Sequence, residues 1–335
     1  MPKIKKKKKS FFKKFFYLIT ISSIIFSTSS FIFKDYPLVK DIRTTSVNIF
    51  KNIQQKIAET SKYLFNNIAK NDQIPDENPN NILISSFNIR ILSDKSRSDR
   101  EVALIGDIIK NYDIIAIQEV RDERILKRLI SYLQQQGIIY GYEISNPVGK
   151  TSTERYAYIY RVNKIKLSKR GKIYNDPDDK FIREPFYATF KAKAFDFTLS
   201  TIHVLFGRNE KERRPEIIEL AQVYKNIQTE DPAEQDIILM GDFNMPPDDH
   251  GFQNLLAINS MTCLIKHPFK TTIGDVSLYD NIWFQKKYVK EFTGNAGLYK
   301  FDTRVFKGDI REAKRSVSDH RPIWGEFNIT GMDDD

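Results

Sequence analysis

Ile237-Ile238-Leu239-Met240-Gly241-Asp242-Phe243-Asn244 is an apolar run that stops on Asp-x-Asn, and further along the chain reads Ser318-Asp319-His320-Arg321-Pro322. Four consecutive apolar residues closed by a glycine read as a fully buried strand. Its end presents hard oxygen donors, and the second stretch sets a titratable imidazole beside a carboxylate. Metal-assisted phosphodiester cleavage uses these groups: the oxygens hold a hard divalent cation, and the imidazole moves a proton near neutral pH.

Outward from this strand, short apolar runs alternate with longer amphipathic segments. Residues 82–89, 114–117, 156–160, 186–190, 195–203, 237–240, 281–284 and 322–327 read as strands, and 99–111, 123–136 and 215–227 as helices. The Lys- and Arg-rich stretch 164–172 reads as a solvated strand edge. Strands interspersed with helices indicate an α/β sandwich of sheets flanked by helices. Several of these segments begin or end on a polar residue where the apolar pattern calls for core: Asn88, Glu119, Glu154, His203, Asp242, Asn244, Asp280, Asp319 and His320. Taken singly, an Asn or Asp at a strand end is a turn residue and a lone His a hydrogen-bonded core or surface group. Taken together they offer a metal kit and two His–acid pairs, and strand ends cluster on one rim of a sheet.

The chain has 335 residues, 41% of them apolar, enough for one large core or two modest ones. Its net charge of +10 resembles that of a nucleic-acid binder, but eight lysines, all before residue 15, precede the first acid, Asp35. Global charge therefore says little about substrate. Those lysines form a basic flank, 1–14, ahead of the uncharged stretch 15–33. As a helix those nineteen residues would span roughly 28 Å, close to a hydrocarbon core of ~30 Å. This pattern predicts either a cleaved export signal or a signal anchor with the lysines cytoplasmic, and hence an extracytoplasmic protein, secreted or membrane-tethered. Residues 34–80 read as a helical stalk followed by a polar, proline-punctuated linker, and 81–330 as the catalytic domain, expected to be monomeric. Cys263 is the single cysteine, so no intrachain disulfide can form, and its neighbours Thr262 and Leu264 suggest a core filler.

Phe87-Asn88-Ile89-Arg90, Gln118-Glu119-Val120-Arg121-Asp122, Glu154-Arg155-Tyr156, Arg183-Glu184-Pro185, Ile202-His203, Gly241-Asp242-Phe243-Asn244, Tyr279-Asp280 and Ser318-Asp319-His320 follow one another in this order. In that order they resemble the endonuclease/exonuclease/phosphatase superfamily, and within it the deoxyribonuclease I branch, over about residues 82 to 329. The resemblance implies a four-layer α/β sandwich, two packed mixed sheets flanked by helices, with the site at the top of the sheets. It implies a general acid, His203, oriented by Glu154, and a general base, His320, oriented by Asp280, with the two histidine roles exchangeable. Asn88, Glu119, Asp242, Asn244 and Asp319 would hold Mg²⁺ or Mn²⁺, with Asn244 alternatively bonding the phosphate. Arg90, Arg121 and Arg183 would contact DNA, since guanidinium groups fork onto phosphate. Asp176, Asp179 and Glu184 match a calcium site of the family in part.

The chain also departs from that pattern. The stretch Lys150-Thr151-Ser152-Thr153 before Glu154 lacks the tyrosine of the family, its disulfides are absent, and Phe269 stands where a second calcium site has an acid. His250 and His267 match nothing and read as surface residues. The leading expectation is a divalent-metal-dependent DNA endonuclease. A phosphoesterase of the same fold acting on a phospholipid or phosphoinositide, and a non-catalytic surface-binding protein on this scaffold, are the alternatives.

Overall fold

Along each central strand the residues of one face change from apolar to polar in the same direction. The computed structural model describes residues 72–150 and 153–331, within which twelve strands form two six-stranded sheets. In chain order they are β1 (Asn81–Leu92), β2 (Ile114–Val120), β3 (Tyr140–Ile144), β4 (Arg155–Arg161), β5 (Lys166–Ile173), β6 (Phe186–Ala192), β7 (Phe195–His203), β8 (Ile237–Asp242), β9 (Met261–Cys263), β10 (Asp280–Gln285), β11 (Phe292–Leu298) and β12 (Ile323–Asn328). The sheet orders are β11-β12-β1-β2-β4-β3 and β5-β6-β7-β8-β10-β9.

Each sheet has one parallel pair at its centre, β1 with β2 and β7 with β8. Parallel neighbours need a crossover, and the helices Asp99–Ile109 and Glu210–Glu230 supply it. With the helix Glu123–Gln135 they cover the outer faces. One apolar cluster joins Leu83, Phe87, Ile115 and Ile117 to the helices 99–109 and 123–135, and another joins Ile202, Ile237 and Leu239 to the helix 210–230. A third cluster fills the space between the sheets. The result is helix, sheet, sheet, helix, the four-layer sandwich the sequence predicts.

Local sequence explains where the helices begin. Ser98 and Glu101 form a reciprocal capping box at the first, and Asp122 caps the second by accepting the Ile125 N–H at 3.1 Å. The third begins at Glu210 behind the cap Asn209, upstream of the expected start. Pro215, where the expected helix starts, lies inside it; the helix runs through the proline and forgoes one internal hydrogen bond. Strands β3, β9 and β11 lack a clean alternation of apolar and polar residues and escape a sequence reading. Strand β5 is a sheet edge, in line with its exposed lysines.

The expected flank 1–14, the apolar segment 15–33 and the stalk as far as residue 71 lie outside the described residues. Among the described residues no helix is long and apolar enough to cross a membrane.

The inter-sheet face carries the site. On β1 it reads Ile82, Ile84, Ser86, Asn88; on β2 Ile114, Ala116, Gln118; on β7 Phe197, Leu199, Thr201, His203; on β8 Ile238, Met240, Asp242. Strands β4 and β10 run the other way and begin where these end, with Glu154 ahead of Tyr156 and Asp280 ahead of Ile282. Register then sets His203 beside Asp242 and Asp242 beside Asp280 across three adjacent strands.

This alignment demands glycine at 241. A Cβ there would stand 2.0 Å from the Ile202 carbonyl oxygen, and the residue has φ +146. Gly241→Ala is expected to destabilise the protein by about 3 kcal/mol or more, because backbone has to move. Gly137→Ala, at φ +79 with no atom within 4 Å, should cost only about 1 kcal/mol. Urea unfolding midpoints of the two variants check this, and equal losses would contradict the crowding argument.

Candidate active site

Asp242 is 1% exposed, and its two carboxylate oxygens have separate duties. Oδ1 accepts the Asn244 N–H at 2.9 Å, which shapes the turn leaving β8. Oδ2 accepts the Asn88 amide at 3.0 Å from the other sheet and lies 3.6 Å from His203 Nε2 and 3.5 Å from His320 Nε2. The far nitrogen of each imidazole is held by its own acid. His203 Nδ1 is 2.7 Å from Glu154 Oε1, and His320 Nδ1 is 2.9 Å from Asp280 Oδ2. A carboxylate on Nδ1 sets the tautomer and stabilises the imidazolium, so two proton-transfer groups face one point.

The charges follow from this packing. Burial opposes ionisation of Asp242, but His320, His203, the Asn244 N–H and Asn88 outweigh it and hold the carboxyl below its ordinary value. Burial likewise opposes a charged His203, yet Glu154 lifts it above the usual imidazole value. For His320 burial is overcome by Asp280 and Asp242, and the imidazole is raised to about 10. Glu154, against the cost of burial, is lowered by His203 and by Arg183.

Backbone strain turns several groups inward. Glu119, at φ +62, falls in a bulge between Ile117 and Val120. Strict alternation would put it on the helix-covered face with Ile117, but the bulge aims it into the cleft, where Oε2 accepts the Ile91 N–H at 3.0 Å. Ile91 and Asn244 also adopt positive φ, at +48 and +50. Ser318 ties β1 to the segment that carries His320: its Oγ donates to the Asn88 carbonyl at 2.6 Å and accepts the Arg90 and His320 N–H groups, each at 3.2 Å. Thr271 Oγ1 accepts the N–H groups of Tyr279 and Asp280. Behind His320, Arg321 is buried in a bidentate pair with Asp302, at 2.9 and 2.6 Å.

These groups open on a cleft of about 640 Å³. Asn88, Glu119, His203, Asp242, Asn244, Asp319 and His320 all line it, as do Arg90 and Arg121. Glu154 and Asp280 stand behind the imidazoles. Asp319 is held by Lys314 at 2.8 Å, a cation on a short helix, Ile310–Ser316, that the sequence reading did not identify.

Two expected groups lie apart from these cleft-lining residues. Arg183 does not face the cleft: its guanidinium donates to the His203 carbonyl at 2.9 Å and the Val204 carbonyl at 3.1 Å and lies 3.7 Å from Glu154. It holds the end of β7, and its positive charge helps keep Glu154 ionised. Asp176, Asp179 and Glu184 are not gathered into a group of converging metal ligands among the described residues. Asp176 accepts the Phe181 N–H and Asp179 pairs with Lys150 at 2.6 Å. His250 and His267 are exposed beside Asp249 and Asp248. Cys263 is buried, its thiol pushed up by burial, away from any nucleophilic use.

The donors that remain suit a hard cation. Asn88 gives its amide N–H to Asp242 and keeps Oδ1 buried with no partner. A buried amide oxygen without a partner is costly unless something binds it, and Glu119 and Asp242 bring carboxylates to the same cleft. Among the described residues Asp242, Asp280 and His320 have ligand atoms within 4.8 Å of one another. That closeness follows from the dyad, with Asp280 bonded to one ring nitrogen and Asp242 3.5 Å from the other, so the oxygen set around Asn88 fits a metal better.

The family model described as Endonuclease/Exonuclease/phosphatase family matches residues 85–320. The chain is similar to a deoxyribonuclease of Thioalkalivibrio sp. (strain K90mix), 28% identical over 270 residues, covering 75% of this chain and 72% of the relative. It is similar also to deoxyribonuclease-1 of Bos taurus, 29% identical over 259 residues, covering 72% of this chain and 90% of the relative. Its fold resembles that of the human nocturnin catalytic domain, with a TM-score of 0.53 at 16% identity, covering 76% of this chain and 96% of the other.

The free energy that Asp280 and Asp242 give to protonated His320 is fully present below the unfolded imidazole value of 6.5 and is lost as pH rises through about 10. Without divalent cations, unfolding free energy is therefore expected to fall across that window, and Asp280→Asn to flatten the fall. Urea titrations in EDTA at several pH values measure it. A wild-type slope no steeper than that of Asp280→Asn would contradict a charged, carboxylate-held His320.

Proposed function

We propose that this chain, which belongs to the endonuclease/exonuclease/phosphatase family, is a divalent-metal-dependent endonuclease that hydrolyses DNA phosphodiester bonds. The observation that carries the reading is the convergence of His203 and His320 on one buried carboxylate, each imidazole backed by its own acid. The deoxyribonuclease names of relatives spanning about three quarters of the chain support DNA as the substrate.

In this reading the scissile phosphate sits over Asp242 between the two imidazoles. His203 gives a proton to the leaving 3′ oxygen, and His320, in its neutral form, takes one from the attacking water; with Asp242 committed to the metal, less negative charge would remain to hold a proton on His320. Glu154 and Asp280 keep Nε2 of each ring aimed at the reacting atoms. The near symmetry of the two dyads explains why their order could be exchanged. Asn88 Oδ1, Glu119 and Asp242 would hold Mg²⁺ or Mn²⁺, with Asn244 and Asp319 beside them. When bound, that ion would offset the charge that develops on the phosphate oxygens. Arg90, Arg121 and Lys314 give the cleft its cationic side for the flanking phosphates. The lysine-flanked apolar run at residues 15–33 supports placing the activity outside the cytoplasm, secreted or tethered.

Incubation of the purified chain with supercoiled plasmid in Mg²⁺ is expected to give nicked product, and none in EDTA. His203→Ala and His320→Ala should each lower kcat by about 10²–10⁴-fold, the usual contribution of a general acid or base. Asn88→Ala and Glu119→Ala should raise the Mg²⁺ concentration needed for half-maximal rate by roughly tenfold or more. Plasmid left intact in Mg²⁺ while sphingomyelin is turned over would replace DNA by a lipid phosphoester as substrate. Near-normal activity of either His variant would remove the dyad assignment.

A further inference from the structure

The loop that leaves β7 presents an aromatic ring with no part in the chemistry above. Phe206 is 55% exposed and lines the same cleft as His203 and Asn244. A lone exposed apolar side chain is ordinary on a protein surface. This one is pinned. Glu216 accepts the Leu205 N–H at 3.0 Å, and Arg213 Nε donates to the Phe206 carbonyl at 2.5 Å. Glu216 and Arg213 are 2% and 6% exposed, so buried charged groups fix the backbone on both sides of the ring's attachment.

The ring is also backed. The Arg213 guanidinium lies 4.3 Å from its centroid, and Tyr279 meets it at 6.5 Å with its plane tilted by 67°. The same guanidinium donates to the Asn244 carbonyl at 2.6 Å and the Tyr279 hydroxyl at 3.3 Å. Phe206 is thereby coupled to the turn after Asp242 and to the residue before Asp280. A cation covers one face of the ring, and the exposed surface opens on the cleft.

We infer that Phe206 is the platform of a nucleobase subsite, on which an unpaired base adjoining the cleaved phosphate stacks. The inference deepens the nuclease reading and rests on it. In a duplex each base has both faces covered by its neighbours, so only an unpaired or extruded base can offer a face to the ring. The cleft has separate walls for the two halves of a nucleotide: Arg90, Arg121 and Lys314 for phosphate, Phe206 and Tyr279 for the base. Tyr279 also lines a second hollow, with Asn209, Glu210, Lys211 and Arg214. The enzyme therefore favours single-stranded or locally melted DNA over intact duplex.

The test compares wild type, Phe206→Ala, Phe206→Leu and Phe206→Trp on three substrates: a single-stranded oligonucleotide, the same oligonucleotide made abasic around the cut, and sphingomyelin. Stacking on one base changes affinity by roughly five- to a hundredfold. Phe206→Ala and Phe206→Leu should raise KM for the base-bearing strand by that factor, with kcat little altered. Phe206→Trp should keep the wild-type KM, and all four proteins should cut the abasic strand alike. The exposed ring adds little to the core, so urea midpoints should stay together. Equal losses on base-bearing and abasic strands, or no change in KM, would overturn the subsite while leaving the nuclease intact. Wild type that cuts neither strand, but turns over sphingomyelin with a dependence on Phe206, would overturn both and make the ring a lipid contact.

Discussion

The carboxylate of Asp242 is the point at which the two sheets, both imidazoles and the candidate metal donors meet. It is buried, and each of its neighbours comes from a different part of the chain: Asn88 from β1, His203 from β7, His320 from the segment before β12. A buried charge without partners would be intolerable, and this one is stable only because those groups surround it. The glycine before it lets β8 approach the Ile202 carbonyl closely enough to keep His203 and Asp242 in register. Loss of that approach would shift the carboxylate and both dyads together.

The rest of the fold supports this point with a graded layer between the sheets. Its lower part is apolar and aromatic; Phe195, Phe197, Phe190 and Phe327 stack with centroids 4.6 to 6.1 Å apart. Higher up, Tyr158 gives its hydroxyl to carbonyls of the opposite sheet, and Gln118 bonds Ser86 within its own sheet and Thr201 across the layer. Above these come Asn88, His203 and Asp242. Close-packed rings hold the sheets at a set distance, and the polar rungs keep the strands from slipping, since a slip of one residue would send every side chain to the other face. A site built on strand ends over such a layer is rigid before any ligand arrives.

Much of this could be read from the chain. The crossover helices and the buried strand 237–242 follow from local pattern, and the chemical residues stand where that pattern breaks. Other parts could not be read. Arg183 sits in a motif that suggests substrate contact, yet its nearest acceptors are carbonyls at the end of β7, which no spacing reveals. Asp122 belongs to the motif Gln118-Glu119-Val120-Arg121-Asp122 and serves as a helix cap. Lys314 and Phe206 reach the cleft on a short helix and a loop without periodicity, and Ser318 braces it through a bond to the Asn88 carbonyl, more than two hundred residues away in the chain. Glu119 was identified from its place after a strand, but only the bulge explains how it comes to face the cleft.

The sequence by itself determined the α/β class, the strands that carry the site and the residue types collected there, because period-two alternation and its interruptions are properties of neighbouring residues. Only the tertiary structure decided which of those residues share one carboxylate, which arginines face the cleft and which brace it, and that an aromatic ring is held open beside it. Those outcomes depend on register between strands, on positive-φ turns and on buried acceptors supplied by distant segments. None of these is encoded within a single stretch of chain.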